Sequence, residues 1–80
     1  MNAPPNYYEE AMKIIDALKA NDHIDDAEKL SDAIEYGSTS TEILMKLRYH
    51  LINIMKNNNI PSVIKVDART LSEKINNILT

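Results

Sequence analysis

The chain has no cysteine, one glycine and two histidines, and its acids outnumber its basic residues. Each scarcity removes a class of chemistry. Without cysteine there is no disulfide staple, and with two histidines and no thiol the usual donor sets of a closed structural zinc site are missing. A phosphate-cradling loop or a dinucleotide turn needs several glycines for close backbone approach, so a nucleotide enzyme is not expected. Neither His23 nor His50 sits in a His-Glu-x-x-His pair, and neither follows a glutamate by three residues as in a carboxylate di-iron bundle. Asp22, His23, Asp25 and Asp26 lack the glycine and the distal glutamate of a calcium loop. No metal or cofactor is expected. A domain this small rarely encloses a reaction pocket, so a non-catalytic protein is expected.

The 80 residues and 9.1 kDa allow one domain, residues 1–80, with a small core. Nine basic against twelve acidic residues give a net charge of −3, which argues against a general nucleic-acid or anionic-membrane binder. The charge is lopsided: residues 1–42 carry three lysines and ten acids, whereas residues 43–80 carry six basic and two acidic groups. The most apolar stretch, Ile43 to Met55, is broken by Lys46, Arg48, His50 and Asn53, so no membrane span is expected. Met1-Asn2-Ala3-Pro4-Pro5 shows neither the basic nor the apolar region of a secretory signal. A cytoplasmic location is the simplest expectation.

What is present is helical periodicity in four segments. Asn6 with Glu9 suits the start of a helix over 7–20, with Tyr7, Tyr8, Ala11, Met12, Ile14, Ile15 and Leu18 on one face. Residues 1–5 before it are expected to fray. Asn21-Asp22 reads as a stop and a new cap for a second helix over 23–36, whose apolar line is Ile24, Ala27, Leu30 and Ile34. Gly37 stands where a left-handed C-cap is expected. Thr39 with Glu42 forms a capping box for a third helix over 40–57, ended by Asn57-Asn58-Asn59 and Pro61. Ile60 to Val66, rich in β-branched residues, reads as an extended connector. Asp67 then caps a last helix over 68–79 through Leu71, Ile75, Ile78 and Leu79. The expectation is an all-α, compact four-helix domain.

The third helix carries two apolar stripes. Ile43, Leu44, Leu47, Leu51, Ile54 and Met55 fall within about 120° of one another, as a core face does. Met45, Tyr49 and Ile52 form a second line, separated from the first by Arg48 on one side and by Lys46, His50 and Asn53 on the other. One layer of neighbours cannot cover both. Either the third helix is central, with helices one and two on one side and the connector and last helix on the other, or the second line meets a partner or a second copy as a homodimer. The second helix also bears an acidic line, Asp25, Glu28, Asp32 and Glu35, with Tyr36 at its edge. Such a line ordinarily faces water; as a site it would attract and orient a basic protein surface. A helix-turn-helix reading would use Lys46, Arg48, Tyr49, Asn53 and Lys56 on DNA. It ranks third, because Glu42, Ile43 and Leu44 at the entering end suit neither phosphates nor base edges.

From the second helix onward, four features resemble the small helical immunity proteins of bacterial polymorphic-toxin systems, the MafI type in particular. They are a helix ending in Ile34-Glu35-Tyr36-Gly37, a long Leu-rich helix, the phrase Asn58-Asn59-Ile60-Pro61-Ser62, and a closing amphipathic helix through Leu71 and Ile75. The resemblance covers about half the chain. It implies a protein that binds and neutralises a cognate toxin in the cytoplasm, with the acidic second helix as contact surface. The competing expectation is a self-associating structural subunit.

Overall fold

The structure, a computed structural model, describes residues 7–80. The expectations for residues 1–5 and for an Asn6 cap lie outside them. Helix α1 spans Tyr7–Ala20, with Glu9 and Glu10 in its first turn and Lys19 in its last, each complementing the helix dipole. Tyr7, Ala11, Ile14, Ile15 and Leu18 are its buried stripe. It ends in a Schellman motif: His23 N–H donates to Leu18 O at 2.8 Å and Asp22 N–H to Lys19 O at 3.2 Å, while Asp22 takes the left-handed conformation at φ 63°. Asp22 is therefore the stop of α1 and not the cap of α2. The N-cap position of α2 belongs to His23, which makes no side-chain capping bond.

Helix α2 spans Ile24–Tyr36 and buries small residues, Ala27 and Ala33, around Leu30. Ile34, placed on the apolar line by spacing, is half-buried, and Ile24 is exposed. Gly37 follows in ordinary extended backbone, φ −72° and ψ 137°, which corrects the expected left-handed cap. The reason for a glycine is space. A Cβ built on Gly37 would run into Cγ1 of Ile43 and come within 2.9 Å of the Ala33 carbonyl oxygen, so the turn holds α3 against α2 too closely for a side chain.

Helix α3 spans Ser40–Lys56 behind the expected capping box. Thr39 Oγ1 accepts the Glu42 N–H at 3.1 Å, and Glu42 Oε1 accepts the N–H of Ser38, one residue before the cap, at 2.9 Å. Asn57 closes the helix through its N–H to Ile54 O, and its Oδ1 accepts the Asn59 N–H at 2.9 Å, an Asx turn that redirects the chain.

Helix α4 spans Ser62–Leu79, six residues earlier than expected. The extended connector is thus corrected: from Ser62 on it is helix, and Asp67 lies inside that helix and caps nothing. Pro61 starts α4, since its carbonyl accepts from Ile64 and Lys65 and a proline at this end forfeits no helical donor. The β-branched residues Val63, Ile64 and Val66 cost a helix only tenths of a kcal/mol each, ~0.5 against alanine. Tertiary burial outweighs that, because Ile64, Ala68, Leu71 and Ile75 form one continuous buried stripe at helical spacing.

Connections of three, three and five residues make consecutive helices neighbours. Among the described residues α1 packs mainly on α2 and α4, and α3 mainly on α2 and α4. The result is a closed ring of four helices around one core, 37 × 22 × 20 Å. The ring corrects the expectation of a central third helix: α3 occupies a corner like the other three. Its core stripe, Ile43, Leu44, Leu47, Leu51 and Ile54, is buried. Among the described residues the second stripe is largely uncovered, with Met45 51 % and Tyr49 65 % exposed and Ile52 half-buried. The residues expected to shelter it instead wind into α4, whose apolar side faces the common core.

Candidate binding surface

The flanks of α3 divide by charge pattern. On one flank Arg48 Nη1 donates to Asn76 Oδ1 of α4 at 2.8 Å. On the other, Lys46 and His50, one turn apart, face α2 and form a wall of an open groove between the two helices. Its volume is about 320 Å³, and its remaining lining comes from Lys29, Asp32, Ala33 and Tyr36 of α2 and from Tyr49. Tyr36 is 70 % exposed.

His50 is the constrained residue of this groove. Its ring meets Tyr49 edge-on, with centroids 5.2 Å apart and planes at 73°. Its Nδ1 is buried and has no hydrogen-bond partner. Burial pushes the imidazole pKa down from its ordinary value, the Lys29 charge adds to that, Asp26 opposes it, and Lys46 lowers it further. The imidazole on this wall is therefore biased toward its uncharged form, beside the charged Lys46.

The acidic row lies farther out on α2. Asp25, Glu28, Asp32 and Glu35 are all exposed, at intervals that keep them on one face. No described basic side chain forms a salt bridge with any of the four; the pairs present are Glu42 with Lys46 and Glu10 with Lys74. Of the two sets of residues singled out by spacing, the fold brings Asp32 and Tyr36 of the first and Tyr49 of the second into one groove. Asp25, Glu28 and Glu35 remain outside it, as do Met45 and Ile52.

Lys29, Lys46 and His50 belong to the groove without having been anticipated for protein binding, Lys46 having been offered only for DNA contact. The signal for two of them was available: Lys46 and His50 separate the stripes of α3 on the side away from Arg48, and a three-residue turn obliges one flank of α3 to face α2. Of the groups offered for DNA contact, Arg48 is engaged by α4 and Lys46 by Glu42, 3.5 Å away.

Asp22, His23, Asp25 and Asp26 line a shallow depression of about 220 Å³ at the α1–α2 turn. Among the described residues no group of three or more histidine, cysteine, aspartate or glutamate side chains is placed to hold a metal ion. No described helix is long and apolar enough to cross a membrane. No family model, no curated protein and no solved structure matches this chain.

Proposed function

We propose that this is a non-catalytic protein-binding module that acts as an immunity-like inhibitor of a cognate toxin in the cytoplasm, through the acidic face of α2. One observation carries the reading: four exposed carboxylates stand in a row in which none forms a salt bridge with a described basic side chain, and the row borders a largely exposed tyrosine. Such a row raises the encounter rate with a basic protein surface, while Tyr36 offers a rigid amphipathic ring as an anchor. The groove lining, with two lysines and one aspartate, does not extend the acidic field, so attraction comes from the outer row and anchoring from Tyr36.

The test is photo-crosslinking in the native cell from a benzoylphenylalanine placed at Glu28, with the same group at Lys13 of α1 as control. The expected result is one basic protein captured from α2 alone, with capture falling at least about tenfold in an Asp32→Lys/Glu35→Lys variant that keeps its helical circular dichroism. That protein, expressed alone, should arrest growth, and co-expression of this chain should restore it. Capture unaffected by charge reversal overturns the α2 surface, and a harmless captured protein overturns the inhibitor reading.

A further inference from the structure

We propose that two copies of this chain pair through the outward crest of α3, antiparallel, with the two-fold axis at Tyr49. The crest is largely uncovered among the described residues: Met45 and Tyr49 are more than half exposed and Ile52 is partly so. Its ends carry opposite charges. Glu42 lies seven residues before Tyr49 and Lys56 seven after, two helical turns in each direction, so all three share one face. Lys56 is exposed, and the Glu42 side chain is 43 % exposed.

Charge complementarity selects both the occupant and its direction. In an antiparallel pair centred on Tyr49, Glu42 stands opposite Lys56 of the partner subunit at both ends, and Met45 packs beside Ile52 of the partner subunit. A parallel pair sets glutamate against glutamate and lysine against lysine, which is repulsive at both ends. The Glu42 carboxylate already accepts from Ser38 N–H and faces Lys46, yet its two oxygens offer about four acceptor positions and leave room for a further ammonium. Exposed ion pairs contribute little affinity, so they set the direction while Met45, Tyr49 and Ile52 supply the burial. The pairing is isologous and closes on itself, which suits a small domain whose core is limited. It uses α3 and leaves the acidic row of α2 free, so it does not rest on the partner-binding reading.

The test is sedimentation equilibrium of the full chain from micromolar to several hundred micromolar, followed by disulfide trapping, for which the cysteine-free chain is a clean background. The expected result is a monomer–dimer equilibrium weakened at least about tenfold by Tyr49→Glu, an exposed substitution that leaves the fold intact, and weakened by Lys56→Glu more at low salt than at high. Met45→Cys mixed with Ile52→Cys should form the mixed disulfide readily, while Met45→Cys alone should not crosslink. A monomer at every concentration overturns the proposal, as does a dimer indifferent to Tyr49→Glu. A dimer in which Met45→Cys alone crosslinks overturns the antiparallel register.

Discussion

Replacing Gly37 by alanine sets two effects of known sign against each other. The backbone there, φ −72° and ψ 137°, is open to any residue, so restricting the unfolded chain alone should stabilise the protein by about 0.4–1 kcal/mol. Against this, the added Cβ meets Ile43 Cγ1 and lies 2.9 Å from the Ala33 carbonyl, neither of which is the free end of a flexible side chain. Overpacking of this kind costs about 1–3 kcal/mol, so we expect a net loss of roughly 1–2 kcal/mol. For a domain of this size that lowers Tm by about 4–8 °C per kcal/mol. Urea and thermal unfolding followed by circular dichroism measure it. The same substitution in an Ile43→Ala background should cost less, with a coupling energy above about 0.5 kcal/mol. A Gly37→Ala protein more stable than its parent would refute the close-approach argument, and zero coupling would refute the role given to Ile43.

Three further outcomes follow from the fold. Ile64→Ala should destabilise by about 2–5 kcal/mol, because Ile64 is a buried residue of the α4 stripe, whereas exposed Val63→Ala should be neutral or gain about 0.5 kcal/mol; equal effects in urea melts would mean that α4 does not begin at Ser62. Thr39→Ala should lose about 1 kcal/mol with the Glu42 N–H bond, read from the urea midpoint, and no loss would remove the capping box from the account. His50, held below its ordinary value chiefly by burial, binds fewer protons folded than unfolded; its contribution is fully present above about pH 6.5 and declines as pH falls below that toward the depressed folded value. The urea midpoint should therefore fall between pH 7.5 and pH 5 by less in a His50→Gln variant than in the parent, and an equal fall in both would contradict this assignment.

Local signals carried much of this fold. Tyr7–Ala20 was legible because its apolar spacing has a single period, and Thr39 with Glu42 marked the start of α3 through a bond that requires only four consecutive residues. The beginning of α4 was not legible, because Val63, Ile64 and Val66 favour strands by local preference and Pro61 resembles a stop, while the burial that decides for helix comes from packing on α1 and α3. Gly37 was misread for a related reason. Its constraint is the proximity of Ile43, a tertiary fact, and not a left-handed backbone. The acidic row of α2 and the second stripe of α3 could be read from spacing alone. The meeting of Asp32, Tyr36 and Tyr49 in one groove, and the partial burial of His50 there, depend on which flank of α3 faces α2, and that is settled when the ring closes.

The claim on which the functional account stands is that the outward face of α2 and α3 is bare in a single copy of the chain. Hydroxyl-radical footprinting of the tyrosines in dilute and in concentrated protein measures this directly, since Tyr36 and Tyr49 are 70 % and 65 % exposed and Tyr7 is 6 % exposed. In dilute protein the account expects Tyr36 and Tyr49 to react fast and Tyr7 slowly, and on concentration Tyr49 alone should become protected. Protection of Tyr49 in the dilute monomer to the level of Tyr7 would contradict it.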